Sequence, residues 1–282
     1  LHTAYRRQRQ MCIRDRMIEG IEEECHRLGY EMVISHVDQR NPNYQKQVRD
    51  LLEEQGVGII LLGTEMMDGD LSLYRNASCP VLLLDHWTES MDFNSVLINN
   101  ADAARAITEH LLDNGHREVG YLRGNYRIKA FRSRFIGFQT ALKKYKVPYK
   151  EEYTVTVGTY MSTACQDMLE YLKKKPKLPT AFFADNDIIA LGAMKALQEM
   201  GYRIPEDISI VGFDDLTFSE ISSPPLTTLR VEKREMGKMA VRRLVELIDG
   251  IGTSTVTKIQ VCPKIIYLSL IHISEPTRPE PI

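Results

Sequence analysis

Ala181-Phe182-Phe183-Ala184-Asp185-Asn186-Asp187-Ile188-Ile189-Ala190-Leu191-Gly192-Ala193-Met194 is the stretch that decides the fold. It opens with an unbroken apolar run, passes through three polar residues, and continues with Ile189, Ala193, Ala196 and Met200 at spacings of three and four. A short apolar run without alternation suits a strand covered on both faces, as in a parallel sheet. The spacing that follows puts one apolar stripe on a helix. The unit is a strand feeding a helix, with polar side chains at the junction.

The same unit recurs on both sides of it. Candidate strands lie at residues 32–35, 57–62, 81–84, 119–122, 154–157, 181–184 and 208–213. Helical patterns fall between them: Ile18, Ile21, Cys25 and Leu28; Ala104, Ile107 and Leu111; Met236, Ala240, Leu244 and Leu247. Gly29, Gly115 and Gly201 follow helices closely and suit a left-handed stop. Strands alternating with helices build parallel sheets. So many units exceed one small sheet, and the expectation is an α/β protein of two doubly wound parallel-sheet lobes. In open parallel sheets ligands sit beyond the carboxyl ends of the strands, so two such lobes would share a cleft there.

Polar residues cluster at those ends. Asp85 follows Val81-Leu82-Leu83-Leu84, Asn186 and Asp187 follow the quoted run, and Asp214 and Asp215 follow Ile208-Ser209-Ile210-Val211-Gly212-Phe213. Carboxylates and amides can hold neighbouring hydroxyls, because each oxygen accepts more than one hydrogen bond and the amide also donates. An Asp or Asn at such a junction also caps the helix it starts, and capping is the expected role of one of Asp185, Asn186 and Asp187. Arg134 sits near the start of a helix, where the backbone dipole disfavours a cation, so an acidic or hydrogen-bonding partner should compensate it. Tyr160, and His86 and Trp87 after Asp85, could stack on a ligand ring. The Pro224-Pro225-Leu226-Thr227-Thr228 segment reads as rigid and extended.

Composition bounds the function. The 282 residues are 43% hydrophobic and 26% charged, with net charge −2, a balance able to fill substantial cores. No general basic field is present of the kind that non-specific nucleic-acid binding needs. No apolar run approaches the roughly 20 residues that span a bilayer, and the N-terminus lacks the apolar core of a secretory signal, so a cytoplasmic protein without membrane contact is expected. Cys12, Cys25, Cys79, Cys165 and Cys262 are scattered and odd in number, which suits reduced, packed thiols. The sequence carries no Gly-x-Ser-x-Gly turn, no His-Glu-x-x-His and no Walker loop. The expectation is a protein with no catalytic residues, no metal and no cofactor. Asp214 and Asp215 are adjacent, and neighbours on an extended strand point opposite ways, so they make a poor acid/base dyad.

An ordered set of motifs supports a family resemblance. Leu51-Leu52-Glu53-Glu54-Gln55-Gly56-Val57-Gly58-Ile59-Ile60 is followed by residues 80–85, Gly115-His116-Arg117 with Gly120-Tyr121, and Arg134 with Gly137-Phe138. After these come Asn186-Asp187 with Ala190-Leu191-Gly192-Ala193, residues 205–215 and residues 224–228. This order resembles the effector-binding domain of lactose-repressor/galactose-repressor (LacI/GalR) regulators over residues 17 to 266. The resemblance implies a type I periplasmic-binding-protein-like fold with crossings between lobes near Leu97, residues 230–232 and residues 260–265. It assigns residues 17–97 and 232–260 to an N-terminal lobe, and residues 98–231 and 261–267 to a C-terminal lobe. Asp85, Arg134, Asn186 and Asp214 are similar in position to the family's polar effector contacts, and Tyr160 to its stacking aromatic. The implied effector is a carbohydrate, nucleobase or nucleoside, and the implied assembly a homodimer.

The pattern departs from the family at both ends. Contact with operator DNA is expected only through a helix-turn-helix headpiece outside these residues, and the first strand of the N-terminal lobe is expected to be missing from them. Residues 1–16 and 268–282 resemble translated adapter sequence and are expected to be non-native, disordered flanks. Two other readings fit parts of the pattern: the solute-binding protein of a sugar ABC transporter, which shares the fold, and an enzyme using the strand-end carboxylates.

Overall fold

The computed structural model describes residues 2–269 apart from 38–40, 54, 55, 65, 67, 90, 91, 127, 253 and 254. Of the expected flank at 268–282, residues 270–282 lie outside the described residues, as do Glu54 and Gln55 of the first motif, while the Leu268 and Ser269 amides donate to Thr227 Oγ1. The chain divides into two units, residues 1–98 with 232–261 and residues 99–231 with 262–282.

The first unit holds a parallel sheet of β1 (Ile59–Leu62), β2 (Val81–Leu84), β3 (Asn94–Ile98) and β9 (Lys258–Val261), in the order β1-β2-β3-β9. The inner strand β2 is buried at all four positions, as its unbroken apolar run requires. One face packs on α2 (Tyr44–Glu53): Tyr44 and Val48 join Val81, Leu83 and Phe93 in a single core. On α8 (Lys233–Ile248), a long helix lying against β1, β2 and β3, packs α1 (His2–Leu28). Those two helices approach closely because Gly237 offers no Cβ. One added there would stand 2.2 Å from the Met17 carbonyl oxygen.

Two sequence expectations fail in this unit. Residues 32–35 form no strand, and Val33 and Ile34 are 82% and 63% exposed. A strand exists through its hydrogen-bonded neighbour, and among the described residues β1 is bonded on one side only, by β2. The Arg-rich residues 2–16, expected to be disordered, continue α1 as helix. Once Met17 and Ile21 are buried, each upstream residue adds a helical hydrogen bond without a new nucleation cost, and Arg, Gln and Met are good helix formers.

The second unit holds the parallel sheet β5-β4-β6-β7, made of β4 (Val119–Gly124), β5 (Thr154–Val157), β6 (Ala181–Ala184) and β7 (Ser209–Val211). Side chains alternate across it. Leu122, Phe182 and Ala184 enter the core shared with α5 (Met161–Lys173) and α6 (Asp187–Glu199), whereas Tyr121 and Phe183 meet Phe138 of α4 (Lys129–Lys144). Helix α3 (Asn100–Asp113) packs on α4. Past β7 come α7 (Thr217–Ile221) and β8 (Thr228–Arg230), which pairs antiparallel with β10 (Lys264–Ile266). Gly29, Gly115 and Gly201 take φ of 79°, 93° and 86°, the left-handed stops their positions suggested. Of the cysteines, Cys25, Cys79, Cys165 and Cys262 are free thiols.

Candidate functional site

Four of the five expected site residues belong to the second unit, and all four stand just beyond strands or on the helices those strands feed. Arg134, in the second turn of α4, is buried, and each of its guanidinium nitrogens has a partner. Nε donates to Asn100 Oδ1 at 2.8 Å, Nη1 to the Asp185 carbonyl oxygen at 2.5 Å, and Nη2 to Asp214 Oδ1 at 3.5 Å. Its guanidinium carbon lies 3.5 Å from the centre of the Phe213 ring, a cation–π stack. The compensation that a cation near a helix start demands comes from three chain segments at once.

Asp214 is the pair's carboxylate. It follows β7 with φ 109°, and Asp215 follows it with φ 50°, both in the left-handed region that costs a side-chain-bearing residue energy. The Asp214 amide donates to the Leu229 carbonyl at 3.0 Å, which ties the turn to β8. Asp215 instead accepts from Arg230 Nε at 2.5 Å. The two carboxylates therefore serve different partners, though they leave the strand through a turn and not by extended alternation. Asp85 repeats the strained geometry in the first unit: it follows β2 with φ 56° and accepts from Thr64 Oγ1 at 2.8 Å.

Asn186 is the N-cap of α6, its Oδ1 accepting from the Ile189 amide at 3.0 Å. It is the residue of its triplet that does the capping, and it remains half-buried at the end of β6. Tyr160 is the N-cap residue of α5, its amide donating to Thr163 Oγ1 at 3.2 Å, with its side chain half-buried.

The two acids that flank the cap stand out in the sequence as part of the triplet, but their separate roles do not. Asp185 is fully buried, accepting from the Tyr121 hydroxyl and, at 2.7 Å, from the Gly124 amide. Burial pushes its carboxyl up to about 7, against these hydrogen bonds and the nearby Arg134 charge. Asp187 is likewise fully buried and pushed up to about 7 by burial. The sequence signal was the triplet itself, three acceptors where one cap is needed.

Residues 108–267 match the periplasmic binding protein-like domain model. The HTH-type transcriptional repressor PurR of Mannheimia succiniciproducens is 32% identical over 234 residues, covering 82% of this chain and 70% of that one. PurR of Haemophilus influenzae strain PittEE is 30% identical over 253 residues, covering 89% and 75%. The chain belongs to the LacI/GalR family. Its backbone resembles the lac repressor dimer bound to operator and the anti-inducer ONPF, with TM-score 0.82 and 25% identity over 92% of this chain and 89% of that one. The CelR–cellobiose complex shows the same fold, with TM-score 0.81 and 24% identity over 90% and 78%. This is the effector-binding domain of a LacI/GalR-type repressor, and the relatives decide against the transporter reading. Those relatives are regulators and not enzymes. Among the described residues no helix is long and apolar enough to cross a membrane.

Proposed function

We propose that this repressor domain recognises a small polyhydroxylated or heterocyclic effector through Arg134, Asp214, Asn186 and Tyr160 of the second unit. The observation that carries this reading is the Arg134–Asp214 pair. A buried arginine has satisfied its Nε and Nη1, yet reaches its carboxylate only at 3.5 Å, the outer limit of a hydrogen bond. A ligand hydroxyl, or a ring N–H together with a neighbouring ring acceptor, would replace one long contact with two short ones, donating to the acid and accepting from the cation. A carbohydrate or a nucleobase supplies that group together with a ring face for Tyr160.

A thermal-shift screen of monosaccharides, disaccharides and purine bases tests the reading, since a ligand that binds only the folded state raises the melting temperature. Arg134→Ala and Asp214→Ala should abolish the shift given by any hit. Unchanged affinity in both variants refutes the assignment.

The full protein would be a cytoplasmic regulator acting on operator DNA as a homodimer. An effector alters DNA affinity only by favouring one conformation, and does so reciprocally. For the dimer face we propose the surface around α7, where Phe218 and Ile221 are 55% and 71% exposed. Apolar exposure of this kind marks association surfaces.

A further inference from the structure

The turn that carries Asp214 holds two successive non-glycine residues at positive φ, so the surrounding structure has to over-determine it. The side chain of Asp187 does so. Its Oδ1 accepts from Thr228 Oγ1 at 2.5 Å; its Oδ2 accepts from the Leu216 amide at 2.9 Å and from Ser219 Oγ at 2.7 Å. Its own amide donates to the Phe213 carbonyl at 2.9 Å. The bonded residues at 213 and 216 bracket Asp214 and Asp215, and those at 219 and 228 belong to α7 and β8.

These bonds are not helix capping. An acid in the first turn of a helix ordinarily serves that helix's own amides and dipole, but in α6 Asn186 takes the cap, and the three donors to Asp187 all come from other segments. The approach is built in at Gly212 as well: a Cβ there would stand 2.2 Å from Asp187 Oδ1. Asp187 and Asp214 sense each other electrostatically, the charge of Asp214 disfavouring ionisation of Asp187.

We propose that Asp187 is a positioning residue for effector recognition: by bonding the chain on both sides of the turn, its carboxyl group holds Asp214 in the strained conformation that faces Arg134. This rests on the reading of Arg134 and Asp214 as an effector-binding pair, and half of its test needs no effector. Asp187→Ala leaves the Leu216 amide without an acceptor and frees the turn. Asp187→Asn keeps an oxygen for Leu216 and Ser219 and turns its NH2 to Thr228 Oγ1, which can accept, so it should restore the turn.

The experiment is NMR of the ligand-free protein, following the Arg134 Nε resonance and the Asp214, Asp215 and Leu216 amides, with Val119→Ala at the far end of β4 as a control for destabilisation alone. Expected are large shifts in Asp187→Ala, near-wild-type positions in Asp187→Asn, and no shift at Arg134 Nε in Val119→Ala. Should Asp187→Ala fail to fold, Ser219→Ala and Thr228→Val each remove one donor and should move the same resonances by less. Unmoved Arg134 and Asp214 signals, or an Asn variant that behaves as the Ala variant does, overturn the proposal. In a second arm glucose, ribose and guanine serve as probes. Any that binds wild type should bind Asp187→Ala about tenfold or more weakly, the effect of one to two lost buried hydrogen bonds, and equal affinity again overturns it. If none binds wild type, the effector reading suffers while the resonances still decide the role of Asp187.

Discussion

Replacing Arg134 by lysine keeps the charge and removes the fork, which makes it the most informative single change in this domain. The three guanidinium nitrogens reach acceptors on α3, at the end of β6 and past β7, and the plane stacks on Phe213. One ammonium cannot stand in three places, and lysine does not stack as a plane. At least two charge-assisted hydrogen bonds are lost, worth about 1.5–3 kcal/mol each, giving about 3–6 kcal/mol before relaxation. For a domain near 150 residues, 1 kcal/mol moves the melting temperature by about 2–4 °C, so the low end alone predicts a fall of about 6–12 °C. Two signals separate the units. Trp87 is the sole tryptophan of the chain and lies in the first unit, so its fluorescence follows that unit while far-UV circular dichroism follows both. The dichroism transition should fall and effector-induced stabilisation should disappear with it. An Arg134→Lys variant that melts within about 2 °C of wild type would refute the view that the fork ties these segments together.

Three further outcomes follow from the same geometry. Burial pushes Asp185 and Asp187 from 3.8 up to about 7, so the native state keeps protons that the unfolded chain has released, and their contribution to stability is lost as pH rises between those values. Burial pushes His116 from 6.5 down to about 4, which works the other way over much of the same window. Urea midpoints measured from pH 4.5 to 7 should therefore decline less in Asp187→Asn than in wild type and more in His116→Gln; parallel profiles would sink this account. A Cβ on Gly137 would stand 2.1 Å from the Ala101 backbone oxygen, so Gly137→Ala should prise α4 from α3 and cost about 1–3 kcal/mol by chemical denaturation, and an unchanged midpoint would contradict that packing. Ile221→Asp puts a charge on the proposed dimer face and should yield a monomer in sedimentation velocity without lowering the unfolding midpoint, whereas an intact dimer would place the interface elsewhere.

What could be read from the sequence tracks how locally each feature is determined. Residues 81–84 and 181–184 declare themselves as strands because both faces are covered, which writes an unbroken apolar run into a few neighbouring residues. The strands β3, β8, β9 and β10 went unread as strands: Asn94, Ser95, Lys258 and Lys264 break the run, and these segments are held by partners far away in sequence. Residues 32–35 show the converse. Their composition is that of a strand, but composition supplies no hydrogen-bond partner.

The site divides along the same line. The positions of Asp85, Arg134, Asn186 and Asp214 follow from strand ends and family motifs, because a parallel sheet exposes its carboxyl edge wherever the chain turns. The supporting acids were harder to place. Asp185, Asn186 and Asp187 are three consecutive hydrogen-bonding residues, and nothing local says which caps the helix, which faces Tyr121 and which reaches residues 29 to 41 positions away. That choice is made by the direction each side chain takes as the strand gives way to the helix. Only one of three successive side chains can meet the helix's own amides, and the other two are turned into the interior, where a carboxyl must find donors or stay protonated. Where a parallel strand of this kind ends in three consecutive acceptors, the middle one is the place to look for the cap, and the flanking pair for the residues that fix the neighbouring loops.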